Sequence, residues 1–153
     1  MDPYGANATV PIIRTLTTDD LNELVRMDAR VTGRARTAFY EGRLHQALTM
    51  SQVQISLGAE WDGHLVGAVL GTLQYGEFGV AEGVAVLDTI LVDPAHRGQG
   101  VGKALFDQLI LNLRALRVEK LRTEVAWDEH QLSTFLGRRG FSPAPRLVLE
   151  RPL

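Results

Sequence analysis

The stretch of sequence that decides the fold is Leu91-Val92-Asp93-Pro94-Ala95-His96-Arg97-Gly98-Gln99-Gly100-Val101-Gly102-Lys103-Ala104-Leu105. It joins an apolar strand to an amphipathic helix through a turn that contains three alternating glycines. Such a turn points several backbone N–H groups in one direction, and the dipole of the following helix adds partial positive charge. Because the glycines have no Cβ, an anion can approach the backbone closely. The stretch therefore predicts a phosphate-binding turn.

Two common phosphate-binding motifs do not fit this stretch. A P-loop needs a glycine where Arg97 stands and a serine or threonine where Ala104 stands, which disfavours a magnesium nucleotide. A dinucleotide-binding turn needs a glycine at the position of Lys103, an early first strand and an acid on the next strand, and none of these fits. Arg97 and Lys103 are instead available to neutralise phosphate charge that the amides leave.

The segments around the turn predict an α/β fold. Apolar runs, turn pairs and helical periodicity give the order strand, two helices, three strands, helix, strand, helix, strand. In this reading the strand before the turn covers Val84 to Val92, a helix over residues 37–50 has Phe39 facing inward, and Leu147 to Leu149 form a final strand. Hairpins followed by crossover connections predict a mixed sheet with helices on both faces.

The segment Arg97-Gly98-Gln99-Gly100-Val101-Gly102 matches the pattern R/Q-x-x-G-x-G/A, and this resembles the acyl-CoA motif of the GNAT superfamily of N-acetyltransferases. The preceding Ile90 to Pro94, the helix after the turn and the later Arg139-Gly140-Phe141 also resemble that family. The resemblance covers Val84 to Phe141. It implies one GNAT-like domain over residues 1–153, with a mostly antiparallel mixed sheet and a splay between two central parallel strands.

The resemblance also implies an activity and a co-substrate. It implies transfer of an acetyl group from acetyl-CoA to a primary amine by direct attack, without a metal ion. The pyrophosphate is expected on the amides of the turn, the pantetheine arm along the strand before it, and a backbone N–H near Leu91 or Val92 on the thioester carbonyl. The implied cofactor-binding residues are Ile90, Leu91, Val92, Arg97, Gly98, Gln99, Gly100, Val101, Gly102 and Lys103.

Direct attack requires a base that takes a proton from the amine. Asp88 is the first candidate because it is the one charged residue of an apolar strand next to the cofactor strip. Glu82 and Glu77, in the neighbouring glycine-rich loop, come next. The alternative for Asp88 is a structural carboxylate that pairs with an arginine or caps a turn, and for the two glutamates it is a solvated loop acid.

The segment that covers the acceptor in this family predicts further contacts with the substrate. Phe39 and Tyr40 combine aromatic rings with nearby charge, and together with Glu77 they are the predicted substrate-binding residues. Ordinary core and surface roles for the two aromatic residues fit the pattern equally well.

Two positions depart from the family pattern, and one of them is Glu129, which stands where the helix usually has an asparagine. Relatives commonly have a tyrosine four residues before the glycine of the closing Gly-Phe pair, and Leu136 stands there. The usual general acid is therefore missing, although a thiol with a reference pKa of about 8.5 can leave as a thiolate near neutral pH. Water, Tyr40 and Tyr75 are candidate substitutes, and so is His130, although a lone helix histidine is more often merely exposed. The departure leaves a second hypothesis open, an acyl-CoA sensor or a non-catalytic interaction module.

Composition limits the binding partners and the cellular location that fit the sequence. The chain has 153 residues and a formal net charge of -2, which fits one domain and gives no sign of nucleic-acid binding. There is no cysteine, no apolar stretch as long as the ~18 residues of a membrane span, and no secretory signal pattern at the start, so we expect a cytoplasmic protein that does not bind membranes. The acceptor is expected to be a small-molecule or peptide amine, and a homodimer is compatible with the family.

Overall fold

The computed structural model describes residues 11–49, 55–79 and 81–153, and for Glu77 it describes the backbone alone. Three short 3-10 turns lie at Thr18–Asp20, Glu77–Gly79 and Pro94–His96. The helices and strands, in chain order, are β1 Ile12–Thr15, α1 Leu21–Thr32, α2 Thr37–Thr49, β2 Leu57–Trp61, β3 His64–Gln74, β4 Val84–Val92, α3 Val101–Ala115, β5 Lys120–Thr123 and α4 His130–Arg138.

The five described strands form one mixed sheet in the order β1-β2-β3-β4-β5. The first three neighbouring pairs are antiparallel, and β4 and β5 are parallel. The parallel pair is joined by α3, which is a crossover connection of the kind that parallel strands require. The predicted α/β class and the mostly antiparallel mixed sheet are confirmed.

Two hydrophobic cores lie on opposite faces of the sheet. On one face, α3 contributes Leu105 and Leu109 and α4 contributes Leu136 to a cluster with Leu87. On the other face, residues of α1 and α2 pack with a second set of strand side chains that includes Leu91. Leu87 and Leu91 of the same strand therefore face opposite layers, and the prediction of helices on both faces is confirmed.

A β-bulge in β4 creates the splay that the resemblance implies. Leu70 of β3 pairs with Thr89 and Gly71 pairs with Leu87, so Asp88 has no partner in β3. Such an extra residue bends the strand and increases its twist. On the other side, pairing with β5 stops at Leu87, whose carbonyl accepts a hydrogen bond from the Thr123 hydroxyl at 2.7 Å. The second half of β4 therefore separates from β5.

The bulge depends on contacts with two residues that are distant in sequence. A Cβ at Gly71 would lie 2.6 Å from the carbonyl oxygen of Val86, closer than atoms can approach, so a glycine is needed opposite the bulge. The buried Ser56 hydroxyl accepts a hydrogen bond from the Gly71 N–H at 3.1 Å and donates to its carbonyl at 3.3 Å. These bonds satisfy backbone groups of Gly71 at the point where the register shifts.

Two details of the predicted fold are wrong. Leu147 to Leu149 form no strand, and Leu147 and Leu149 are each 87% exposed, because no described strand lies beside them. The parallel pair consequently lies at one side of the described sheet, with β5 as its edge strand. On α2, Phe39 is exposed and its neighbour Tyr40 takes the inward position.

Candidate active site

The turn before α3 is held in place by Asp93. Its backbone N–H donates to the carbonyl of Val66 on β3 at 2.8 Å, which fixes the end of β4. One carboxylate oxygen accepts from the N–H of Ala95 at 2.9 Å and caps the 3-10 turn. The other accepts from the guanidinium of Arg30 on α1. The loop that leads into the glycines is therefore anchored to two different elements.

The glycines after this anchor have the backbone that the sequence predicts. Gly98 and Gly100 have φ values of 75° and 81°, in the left-handed region that favours glycine. A Cβ at either position would meet nothing of the protein within 4 Å, so the backbone faces open space. The first intrahelical bond of α3 runs from the N–H of Ala104 to the Gly100 carbonyl. The preceding N–H groups of the helix are thus free to bind an anion.

Gly102 has a different role from the other two glycines. A Cβ there would lie 3.1 Å from Cζ of Phe135 on α4, so this glycine lets the two helices approach each other. Phe135 also lines a shallow depression on α4. Val101 is buried in the core, and only its backbone can reach a ligand. The predicted cofactor residues with exposed side chains are Arg97, Gln99 and Lys103, and Lys103 pairs with Asp107 at 2.6 Å.

On its open side, β4 presents backbone groups that have no partner among the described residues. Because the Asp93 N–H points to β3 and strand residues alternate, the N–H groups of Val92 and Ile90 point away from β3, into the splay. That of Leu91 points to β3. The strip that leads from the glycine turn to the bulge can therefore pair with an extended ligand, and Val92 is the better of the two predicted donors to a thioester carbonyl.

Asp88 lies at the end of this strip and is paired. Its Oδ2 accepts from the Arg43 guanidinium of α2 at 2.8 Å, and its Oδ1 accepts from the hydroxyl of Thr89 at 2.9 Å. The side chain of Asp88 is 16% exposed, although the residue as a whole, with its bulged backbone, is exposed. It therefore has the arginine partner that the structural alternative supposed, and it also lies beside the splay where a base is needed.

The loop between β3 and β4 forms the border of this end of the sheet. Tyr75 is 64% exposed and packs on Gly83, where a Cβ would lie 2.7 Å from Cε1 of the ring. Glu82 is exposed in the same loop. The side chain of Glu77 lies outside the described part of the structure. The loop thus places an aromatic ring and an acidic side chain near the first residues of β4.

The predicted substrate residues on α2 differ in exposure. Phe39 is 44% exposed and lies one helical turn before Arg43, on the same face. Tyr40 is fully buried, and burial together with the neighbouring Asp28 raises the pKa of its hydroxyl. A weaker acid in a closed position is poorly suited to protonate a leaving thiolate. Phe39 is therefore accessible to an acceptor, and Tyr40 supports the wall beneath it.

A charged pair connects α1 to the start of α2. Arg36 donates to both oxygens of the buried Asp28, at 2.7 and 2.6 Å, and its guanidinium lies 4.8 Å from the centroid of the Phe39 ring. The hydrogen bond from Arg36 lowers the pKa of Asp28, against the opposing effect of burial. The pair therefore orients the Phe39 ring. Its contribution at the start of α2 depends on the protonation state of Asp28.

We expect Asp28→Asn to lower the free energy of unfolding by roughly 1–3 kcal/mol at pH 7, because it removes one partner of a buried charged hydrogen bond. A carboxylate whose folded pKa is lowered stabilises the fold above its unfolded pKa of about 3.9 and loses that effect as pH falls through the folded value. The difference between the two proteins should therefore shrink below about pH 4. Urea unfolding across pH checks this, with the exposed Asp107→Asn as control, and a difference independent of pH would contradict it.

The position where relatives commonly have a tyrosine is closed to solvent. Leu136 is 3% exposed and belongs to the core between α3, α4 and the sheet. Its side chain has no ionisable proton, so the expected general acid has no equivalent there. His130, at the start of α4, is exposed and lines the depression next to Phe135.

Two arginines at the site were not singled out from the sequence. Arg43 reaches Asp88, and Arg30 holds the Asp93 anchor. The available signal was helical spacing, since Arg43 lies beside the buried positions of α2 and Arg30 lies one turn after the buried Met27 of α1. Basic residues beside an apolar stripe are common on any helix, so this signal is weak.

The mixed sheet with a splay after a bulge, and the glycine turn at the start of α3, together define the fold of the N-acetyltransferases. The chain belongs to the acetyltransferase (GNAT) family, whose sequence model matches residues 19–141. Family membership supports an acyltransferase activity, and acyl-CoA is the co-substrate that this fold supports. Among curated proteins, none matches this sequence significantly.

Solved structures with the same fold have different names and roles. A transcriptional regulator from Bacillus halodurans C-125 aligns with a TM-score of 0.75 at 20% identity, over 94% of this chain and 100% of the other. The aminoglycoside N-acetyltransferase AAC(6')-Iy in complex with CoA aligns with a TM-score of 0.74 at 17% identity, over 94% of this chain and 95% of the other. A ribosomal-protein-alanine N-acetyltransferase from Brucella melitensis biovar Abortus 2308 aligns with a TM-score of 0.71 at 22% identity, over 94% of this chain and 100% of the other. At these identities the likeness shows the fold alone.

Two further properties bear on the site. Within the described residues there is no group of three or more histidine, cysteine, aspartate or glutamate side chains arranged to hold a metal ion. No helix in the described part of the chain has the length and apolar character to cross a membrane.

Proposed function

We propose that this protein is an N-acetyltransferase that moves an acetyl group from acetyl-CoA to a primary amine by direct attack. The observation that carries the proposal is the continuous path from the free amides of the glycine turn, along the unpaired backbone of β4, to the bulge at Asp88. The pyrophosphate, the extended pantetheine arm and the thioester of acetyl-CoA follow one another in that order.

Each part of the path has a role in the reaction. The N–H groups of Val101 to Lys103 bind the pyrophosphate, and Arg97 adds positive charge. The backbone of Ile90 and Val92 pairs with the pantetheine arm, and the N–H of Val92 donates to the thioester carbonyl. A donor aimed at the oxygen where negative charge develops stabilises the tetrahedral intermediate more than the ground state.

The chemical step needs few side chains. The amine nitrogen attacks the carbonyl carbon, the carbon–sulfur bond breaks, and CoA leaves as a thiolate. The proton of the attacking amine goes to a base, directly or through water, and Asp88 is the group proposed for this role, with Glu82 as second candidate. Arg43 holds the Asp88 carboxylate at 2.8 Å, so the proposed contribution of Asp88 as a base comes from its position beside the splay. The leaving thiolate takes its proton from water.

The acceptor enters between α2 and the β3–β4 loop. Phe39 and Tyr75 are exposed aromatic rings on these two borders, and Glu82 supplies negative charge near them. A protonated amine is attracted by a carboxylate and by aromatic faces. The proposed acceptor is therefore a cationic small-molecule or peptide amine. The names of two structural neighbours give an aminoglycoside and a ribosomal-protein alanine as acceptors.

The test is thiol release in the presence of an amine panel. The purified protein is incubated with acetyl-CoA and either an aminoglycoside, a polyamine, an amino acid or a peptide with a free N-terminus. We expect free thiol above the blank with at least one acceptor, and a mass increase of one acetyl group in that acceptor. Thiol at the blank level with every acceptor, in a protein that binds CoA, would reject catalysis.

A second candidate is an acyl-CoA-binding module without turnover. Two observations favour it: Leu136 is buried where relatives have their acid, and both oxygens of Asp88 already have protein partners. We favour catalysis because orientation and carbonyl polarisation alone account for large rate increases in acyl transfer.

A further inference from the structure

The guanidinium of Arg43 meets Asp88 at short range through one of its three nitrogens. Its Nη2 lies 2.8 Å from Oδ2 of the carboxylate. Its Nη1 donates instead to Oε1 of Gln46 at 2.6 Å, and its Nε is buried without a hydrogen-bond partner among the described residues. A buried N–H group that makes no hydrogen bond costs free energy, so another contact must hold the guanidinium in this orientation.

Another ion pair of the same chain shows the arrangement that arginine ordinarily prefers. Arg36 donates from Nε to Oδ2 of Asp28 at 2.7 Å and from Nη2 to Oδ1 at 2.6 Å. This planar fork occupies both carboxylate oxygens and is the stronger form of the contact. Asp28 is a buried structural carboxylate, whereas Asp88 lies beside the splay and does not receive the fork.

Gln46 accounts for the difference between the two pairs. It lies three residues after Arg43 on α2, so the two side chains share one face of the helix. A guanidinium only donates hydrogen bonds, and therefore the oxygen of the Gln46 amide must face it. Because this oxygen holds Nη1, it fixes the rotation of the guanidinium and keeps Nε from reaching the carboxylate.

We infer that Gln46 is a positioning residue for acetyl transfer, which acts through Arg43 on the carboxylate of Asp88. The inference rests on the proposed function, in which that carboxylate takes the proton of the attacking amine. Oδ1 accepts from the Thr89 hydroxyl and Oδ2 has one contact with Arg43, so each oxygen keeps a lone pair for the proton. A fork on both oxygens would favour the charged carboxylate over the protonated one, and Gln46 prevents that fork.

Two substitutions at Gln46 should have different effects on the rate. Gln46→Leu removes the oxygen that holds Nη1, so the guanidinium turns its fork onto Asp88. We expect kcat to fall roughly 5- to 20-fold, which is part of the ~100-fold or more that general-base catalysis contributes, with KM for acetyl-CoA unchanged. Gln46→Glu keeps an oxygen in place and binds the guanidinium more strongly through its charge, so kcat should stay at or above the wild-type value. Steady-state thiol release with an acceptor from the amine panel measures both variants.

A role in side-chain packing alone predicts the reverse order. Gln46 is half-buried, so packing would tolerate leucine, which is apolar and similar in size, better than a charged glutamate. The matched control is Gln108→Leu on α3, where a half-buried glutamine donates to Asn112 at 2.8 Å, and this variant should have the wild-type kcat. A Gln46→Leu protein as active as the wild type, or a Gln46→Glu protein slower than Gln46→Leu, would overturn the inference.

Double variants show whether Gln46 acts through the ion pair. When Gln46→Leu is added to Asp88→Asn or to Arg43→Gln, kcat should change by less than about twofold, because one of the two groups through which Gln46 acts has been removed. A fall in kcat of the same size in the wild type and in both variants would mean that Gln46 acts independently of the pair, and would overturn the inference.

A spectroscopic readout tests the arrangement without enzyme activity. The Nε–H group of Arg43 gives a proton–nitrogen NMR signal, which is identified by its absence from Arg43→Lys. This group has no acceptor among the described residues, but in Gln46→Leu it should donate to Asp88, so its proton signal should move downfield and exchange more slowly with water. The same signal in both proteins would overturn the inference even where the wild type transfers acetyl groups. Thiol release at the blank level in the wild type would instead reject the proposed function, so the two failures are distinguishable.

Discussion

Asp88→Asn is expected to lower kcat for acetyl transfer by about 100-fold or more, with the Kd for CoA unchanged. The substitution keeps the shape of the side chain and an oxygen for Arg43, but it removes the proposed acceptor of the amine proton. We expect CoA affinity to be retained because the proposed phosphate site lies at the opposite end of β4. Steady-state thiol release and calorimetry on the same preparations give the two quantities.

The pH profile distinguishes a base from a structural carboxylate. If Asp88 accepts the proton, the deficit of the asparagine variant should shrink as pH rises towards the pKa of the acceptor, because the amine then arrives already deprotonated. If Asp88 only holds the bulge in shape, the loss of rate should be the same at every pH. The asparagine variant should then also have a lower free energy of unfolding than the wild type. Equal rates in the wild type and the asparagine variant at all pH values would mean that Asp88 is not the base. Glu82→Gln would then be the next variant to test.

Two further variants control this experiment. Asp62→Asn removes the same charge from the β2–β3 turn, where φ is 51° and asparagine is tolerated as well as aspartate, so it should leave the rate unchanged. Arg43→Gln keeps the carboxylate and removes its partner, so it should cost less in rate than Asp88→Asn. If Arg43→Gln costs as much, the ion pair rather than the proton acceptor is the functional unit.

The glycine turn and β4 could be predicted from the sequence because their signals are local. Alternating glycines after Asp93-Pro94 determine a turn, and the apolar run before them gives the observed bounds Val84–Val92. The bulge at Asp88 could not be predicted. It depends on Gly71 and Ser56, whose positions opposite β4 follow from the sheet register and not from any nearby residue.

Predictions from helix and strand patterns were wrong where the choice between two alternatives depended on packing against another part of the fold. Phe39 and Tyr40 are consecutive aromatics, and either one can start an inward stripe. The structure selects Tyr40 because it continues to Leu44 and Ala47 at spacings of four and three residues. The Leu147 to Leu149 pattern predicts a strand correctly only if a partner strand exists, and the described chain supplies none.

Gly100→Asp is expected to weaken CoA binding by at least tenfold, which corresponds to about 1.4 kcal/mol. The φ of 81° is one that aspartate tolerates better than most residues, and a Cβ meets nothing of the protein within 4 Å, so the fold should persist. The carboxylate then faces the pyrophosphate at short range. Calorimetric titration with CoA measures the change.

Matched variants separate charge from shape in this experiment. Gly76→Asp has the same kind of backbone, with φ of 73° and open space around its Cβ, but it follows β3 at the end of the sheet far from Val92, so its affinity for CoA should equal that of the wild type. Gly100→Asn adds the same bulk without the charge, so it should lose less affinity for CoA than Gly100→Asp. Because repulsion between charges is screened by salt, the gap between the aspartate and asparagine variants should narrow as ionic strength rises. Equal affinity of Gly100→Asp and wild type would mean that the phosphates bind elsewhere, and the path along β4 that supports acetyl transfer would lose its starting point.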